Sequence, residues 1–248
     1  MRWSLLMRTR TRLLLFALLL GLAAAPASAD PLLLTIQPIQ ICGDDGSSCA
    51  NAGRTLFEEI GNKIWAQADV WFDFLEWVTI FDTGLLSADL LELAGGDNGQ
   101  HDDPLVINMW FVNTLSCGGV SFVYGCGFID GNGVGIDDSV FAQWRVDTIA
   151  HELGHNLGLD HVEDPLNLLA SGGARLVPWS IDEIYPRGDK TSQLTAAQIA
   201  TVRASPFLSP YPAPDAAVAV PEPASLTLLA AGCVALLARG ARQRRRRG

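Results

Sequence analysis

The 248-residue sequence predicts an α+β fold, on three observations. Residues 76–81 and 105–112 are runs rich in β-branched and aromatic residues, the composition of half-buried and buried strands. Leu56, Ile60, Ile64, Trp65 and Trp71 recur at helical spacing, which predicts an amphipathic helix from Asn51 to about Phe74. A further helix is expected over Val140 to Asn156. Thr195 with Gln198 forms a capping box that opens a last helix, from Ala196 to about Ala204.

In chain order, the first segment is not part of that fold. Arg2, Arg8, Arg10 and Arg12 precede an apolar run from Leu13 to Ala25, and Ala27-Ser28-Ala29 supplies small residues for cleavage. Residues 1–29 therefore read as a signal peptide, with Asp30 as the mature start. A membrane anchor is the alternative, but the apolar run is shorter than the roughly 20 residues of a span.

The folded part is expected over 30–208. It is followed by a Pro- and Ala-rich linker over 209–223 and a tail over 224–248. In that tail an apolar stretch from Ala224 to Ala238 follows Val220-Pro221-Glu222-Pro223, and Arg239, Arg242 and Arg244 to Arg247 close the chain. A basic cluster after an apolar helix holds that end in the cytoplasm, with everything before it across the membrane. The order Pro-Glu-Pro, short helix, arginines resembles the PEP-CTERM sorting signal. The resemblance implies an exosortase-type enzyme as partner and delivery to the cell envelope or the exterior; a plain C-terminal anchor is the alternative. Membrane contact is expected only through the terminal segments.

Without its ends the chain is strongly acidic. Residues 30–220 hold 7 basic and 26 acidic side chains, a formal balance of −19, which argues against nucleic acid or an anionic membrane as partner of the folded part. The excess suits solubility and would favour cationic substrates. Four cysteines lie in this part, Cys42, Cys49, Cys117 and Cys126. An even number in an oxidising compartment suggests two disulfides, and the short separations make Cys42–Cys49 and Cys117–Cys126 the simplest of three pairings. A four-thiolate zinc site is the alternative, but no Cys-x-x-Cys spacing is present.

The glycine-rich stretch 118–135 is expected to hold a short strand at Phe122 to Tyr124, a turn at Gly131-Asn132-Gly133 and an edge strand over Val134 to Ser139. Asp130-Gly131-Asn132-Gly133 has some character of a calcium loop but lacks the later bidentate Glu, since position 141 is Phe.

Chemistry concentrates in His151-Glu152-Leu153-Gly154-His155-Asn156-Leu157-Gly158-Leu159-Asp160-His161. Residues four apart share one helix face, so His151 and His155 point at one metal ion and Glu152 stands beside them. Gly158 can adopt positive φ, end the helix and return His161 as a third ligand. Three protein ligands and an open fourth position are what a catalytic Zn2+ requires. Glu152 is then the general base that takes a proton from the attacking water and passes it to the leaving amine. His101, outside this run, reads as an exposed loop residue.

The extended motif resembles that of the metzincin clan of zinc endopeptidases. The resemblance implies His151, His155 and His161 as zinc ligands, Glu152 as general base, and a zincin-like domain with a mixed twisted sheet, an active-site helix and a small C-terminal subdomain. It also implies a protein or peptide substrate, paired along the edge strand expected at Val134 to Ser139. The clan's methionine turn maps onto Asn167 to Ser171, with Leu169 where methionine is expected. Leu176, Val177 and Pro178 are candidates for the wall receiving the residue after the cut bond. Cys42 as an inhibitory thiolate is a further option. The resulting expectation is an exported zinc-dependent endopeptidase. The competing readings are an exported structural or adhesive matrix protein that retains the zinc, and a zinc-dependent amidase.

Overall fold

The computed structural model describes residues 30–53, 55–187 and 190–212. The leader and sorting tail read from the sequence lie outside the described residues. Among those that are described, no helix is long and apolar enough to cross a membrane.

In chain order the strands are β1 (Leu32–Cys42), β2 (Val70–Phe74), β3 (Val78–Phe81), β4 (Ser87–Asp89), β5 (Ile107–Val112), β6 (Thr114–Cys117), β7 (Val120–Ser121), β8 (Gly125–Gly127), β9 (Gly133–Asp137) and β10 (Leu208–Pro210). The α-helices are α1 (Glu58–Trp65), α2 (Leu90–Gly95), α3 (Ser139–Ala142), α4 (Thr148–Asn156) and α5 (Ala196–Arg203).

A seven-stranded mixed sheet runs β10-β1-β5-β9-β8, with β2 and β3 also pairing β1. Strand β1 organises it. Val70–Phe74 and then Val78–Phe81 lie parallel to its successive halves, while Ile107–Phe111 pairs with Ile36–Gln40. Its side-chain alternation serves two cores, Leu34 and Ile36 facing one and Ile39 and Ile41 the other. The first core lies under α1 and α4 and includes Trp65, Met109, Phe111, Leu153 and Leu169; the second holds Trp110, Val112, Leu115 and Leu93. Strand β5 is buried along its whole length, the pattern of a strand covered on both faces. The segment after Gly158 is largely irregular, then forms α5 and returns as β10, antiparallel to Leu32–Leu34.

Several elements differ from the sequence reading. The helix expected from Asn51 to Phe74 is only α1 and a 3-10 turn at Ala66–Ala68. Asp69 at φ 53 ends it, and Val70, Trp71, Phe72 and Asp73 then alternate buried and exposed, which is strand periodicity. The Val140 to Asn156 helix is broken between Ala142 and Thr148, where Trp144 takes φ 54. Phe122 to Tyr124 is no strand; β7 and β8 flank it, and Phe122 has φ 61.

The correction that matters most for the site concerns the edge. Residues 134–139 are not the edge strand, because β9 is fully buried and paired on both sides, to β5 and to β8. Strand β8 ends the sheet. Gly135 on β9 lets Leu115 pack directly on the strand, since a Cβ there would meet Leu115 Cδ1 at 2.7 Å. Both disulfides form with the simplest pairing, Cys42–Cys49 and Cys117–Cys126, so Cys42 carries no free thiol.

Candidate metal centre and cleft

Helix α4 is buried on every side and carries His151, Glu152 and His155. It stops in the manner its glycine dictates. Gly158 has φ 88, its N–H donates to the His155 carbonyl, and the Leu159 N–H reaches back to the Gly154 carbonyl. That pair of bonds satisfies carbonyls orphaned at the helix end and reverses the chain. A Cβ at Gly158 would also meet Asp130 Oδ1 at 2.6 Å.

The reversal brings His161 to the helix. Its Nε2 lies 3.2 Å from Nε2 of both His151 and His155. Nδ1 of His151 donates to the Leu168 carbonyl at 2.6 Å, and Nδ1 of His155 to the Leu159 carbonyl at 2.7 Å. Each bond fixes the tautomer that leaves Nε2 as a lone-pair donor. Burial first, and then in His151 and His161 the nearby Arg175 charge, hold the imidazole pKa values down; for His151 they lie well below 6.5. The rings are therefore neutral, the form that ligates metal. Tetrahedral coordination at about 2.0–2.1 Å per Zn–N bond separates ligand nitrogens by roughly 3.3 Å, which the observed spacing fits.

Glu152 is buried, with Oε1 4.0 Å from His151 Nε2. Burial raises its pKa to about 7, opposed by Arg175 and by the Gly127 amide. Two glycines of β8 let the edge strand lie flush on the helix. A Cβ at Gly125 would meet Glu152 Cγ at 2.5 Å, and one at Gly127 would meet the Glu152 carbonyl oxygen at 2.5 Å.

The floor beneath the histidines is the turn at Asn167 to Ser171. Leu169 is fully buried below Gly154, and Val162 donates to the Leu169 carbonyl at 3.0 Å, tying the His161 segment to it. Asn167 accepts from the Leu169 N–H and exchanges two side-chain bonds with Gln198, which itself closes the capping box of α5. The last helix thus positions the turn that orients His151. On the other side Asn156 donates to the carbonyls of Phe128, Gly131 and Gly133, so the loop from Phe128 to Gly133, closed by the Gly131 N–H on the Phe128 carbonyl, is docked on α4.

A cleft of about 660 Å³ opens over the histidines, lined among others by the strand β8, Tyr124, Arg145, Thr148, Asp160, Gly172 and Arg175. Leu176, Val177 and Pro178 are not among the residues lining it; from this segment Gly172 and Arg175 are, and Leu176 is half exposed. His101 is exposed, as read. Sequence reasoning missed Arg145, Asp147 and Arg175. Their signal was available, since only seven basic residues occur between 30 and 220 and two of them flank the motif.

Residues 100–162 match the family described as metallo-peptidase family M12B, reprolysin-like, a segment that ends one residue past His161. Residues 219–246 match the PEP-CTERM protein-sorting motif. No curated protein matches the chain. Among solved structures the chain is similar to an archaemetzincin from Methanopyrus kandleri, at 14% identity over 73% of this chain and 97% of that one, with a TM-score of 0.43. An archaemetzincin from Archaeoglobus fulgidus gives 15% identity over 68% and 99%, TM-score 0.39. Metalloproteinase-II from Bacteroides fragilis gives 16% over 71% and 54%, TM-score 0.41.

Proposed function

We propose that the chain is an exported zinc-dependent endopeptidase of metzincin type, with His151, His155 and His161 as zinc ligands and Glu152 as general base. The observation that carries this reading is the convergence of three neutral Nε2 atoms, each of the two helix-borne rings locked through Nδ1, beside a buried carboxyl group. A zinc ion held by these three rings would supply Lewis acidity, acidifying a bound water to a pKa of about 7 and polarising a carbonyl. Glu152 receives the proton at Oε1 and returns it to the leaving amine, a transfer matched to a carboxyl group raised towards neutrality. Strand β8 pairs with an extended substrate and presents its backbone across the histidines. The match over 219–246 supports export and removal of the tail by an exosortase-type enzyme. Residues 1–29 are read as the leader and 30–208 as the catalytic domain, which β10 extends to Pro210.

Metal analysis and a peptide-library digest of the processed protein, wild type beside Glu152→Ala, test this. One zinc per chain and cleavage that falls by about 10²–10⁴-fold in the variant are expected. A folded, zinc-loaded protein that cuts no peptide, or whose function survives Glu152→Ala while zinc removal unfolds it, would make it the structural matrix protein instead.

A further inference from the structure

Arg175 is the feature that the peptidase mechanism leaves unused. Its side chain is 5% exposed, yet it lines the cleft. Nη2 donates to Thr148 Oγ1 at 3.0 Å and lies 3.5 Å from Asp147 Oδ1, whereas Nε and Nη1 are buried without a hydrogen-bond partner. Buried donors of a charged group that go unpaired cost more than the pairing of one arm returns, so a site that retains them is built for an acceptor arriving from outside. Arg145 lines the same end of the cleft, stacked 4.0 Å over the Tyr124 ring, and its Nε is also buried and unpartnered. Asp147, whose other oxygen accepts from Ser192, lies beside the Arg175 guanidinium. Two guanidinium groups thus meet in one cleft of a domain of balance −19, beside the carboxyl groups of Asp147 and Glu152.

The geometry also says which substrate residue arrives there. Along α4, β8 runs from the Glu152 side chain, against Gly125, to the His155 Cβ, against Gly127. Tyr124, just before β8, sits at the end marked by Arg145. An extended peptide added antiparallel to β8, the more stable ladder, runs the other way, so its residues after the cut bond lie towards Arg145 and Arg175.

We propose that the Arg175 end of the cleft is a carboxylate subsite, so that the preferred substrates carry a carboxylate on the residue directly following the cleaved bond. This rests on the endopeptidase reading above. The unpartnered Nε and Nη1 lie on different edges of the guanidinium plane, so each offers a single charge-assisted hydrogen bond, which a carboxylate accepts more strongly than a neutral amide does. The acidic surface sets the complement of this choice. Stretches of many acids are repelled, and a single carboxylate among neutral or basic residues is selected.

The test uses cleavage-site sequencing of a peptide mixture, then kcat/KM for matched peptides with Glu, Gln or Lys after the cut bond. A further pair with Ala there, ending in a free acid or an amide, separates a side-chain carboxylate from that of a chain end. Binding of the Glu and Gln peptides to the zinc-loaded Glu152→Gln protein is measured by calorimetry alongside. Glu over Gln by about ten- to a hundredfold is expected in both readouts, with that ratio falling towards one in Arg175→Gln. Because Arg175→Gln strands Asp147 in the interior, the Asp147→Asn/Arg175→Gln double variant is run beside it, with a melting curve to establish folding. Cleavage without acidic preference in the wild type, or an unchanged Glu-to-Gln ratio in the folded double variant, overturns the subsite and leaves the peptidase standing. Absence of all cleavage sinks the peptidase reading, and the binding ratio then decides the subsite by itself.

Discussion

Leu169→Ala is the perturbation that examines how the floor of the site acts on the metal. Leu169 is fully buried, and the side it presents to the helix is Gly154, where a Cβ would meet Leu169 Cδ2 at 3.1 Å and Trp65 Cζ2 at 3.6 Å. Removing the isobutyl group opens a cavity whose neighbours cannot collapse into it, because Gly154 has no side chain and Trp65 is a rigid, fully buried ring. The cost is therefore placed in the upper part of the Leu→Ala range, about 3–5 kcal/mol. At about 2–4 °C per kcal/mol for a domain of this size, the metal-free protein loses roughly 6–20 °C in Tm. A second effect is transmitted through the neighbouring carbonyl. Leu168 O holds His151 Nδ1 at 2.6 Å, and disturbing such a partner lowers metal affinity by about 10–100-fold. Thermal melts of metal-free protein read the first effect, and competition for zinc with a chromophoric chelator reads the second. Leu169→Met, which restores the residue expected by resemblance, stays within about 1.5 kcal/mol of wild type. A Tm loss below about 2 °C would refute the packing argument. A large Tm loss with unchanged zinc affinity would cut the link from the floor to His151.

Three further perturbations, one with its control, have definite expected outcomes. Gly127→Ala drives a methyl group into the Glu152 backbone carbonyl at 2.5 Å, so edge strand and helix must separate, costing about 1–3 kcal/mol and most of the peptidase activity. Gly173→Ala, with nothing within 4 Å, is the control and stays within about 0.5 kcal/mol. Asp138 has a pKa raised from 3.8 to about 6, chiefly by burial and against the Asn51 amide that bonds it. The folded protein thus binds that proton more tightly than the unfolded one. Stability falls as pH rises from about 4 to 6, and the penalty is present in full above that window. Discounted for partial exposure, Asp138→Asn should gain on the order of 1 kcal/mol at pH 7 and flatten the melting profile over that window; an unaltered profile would refute the assignment. Replacing Cys117 and Cys126 together by Ser opens a short loop and should cost about 2–3 kcal/mol in the chain-entropy view, read by denaturant titration with and without reductant.

The convergence of the three histidines was legible because its geometry is local. Helix periodicity places His151 and His155, and one glycine with positive φ returns His161 six residues later. Strands β3 and β5, the capping box of α5 and both disulfides were legible for the same reason, each being settled by residues close in sequence. The failures arose where tertiary pairing overrode the local pattern. Val70–Phe74 continues the apolar spacing of α1 well enough to read as helix, yet β1 recruits it into the sheet. Strand β9 has the composition of a glycine-rich edge, but its glycines face Leu115 and Phe128 and its apolar residues face the main core, so it is interior. Strand β1 itself went unread, since its apolar residues change face midway and serve two cores in turn.

The walls of the cleft illustrate a different limit. Gly125, Arg145 and Arg175 are separated by up to 50 positions and meet only because β8, the approach to α4 and the turn after Ser171 converge on one helix. No spacing rule connects them. What a sequence does offer is scarcity. In a domain with 7 basic and 26 acidic side chains, an arginine that is taken out of water beside a catalytic motif is costly to place. Asp147 offsets part of that cost, and the unpaired Nε and Nη1 show that it does not offset all of it. Two of the seven basic side chains, Arg145 and Arg175, line the cleft, which Asp160 also lines beside His161. On the function proposed above, the histidines set where a bond is cut, and the arginines of the walls set which bond.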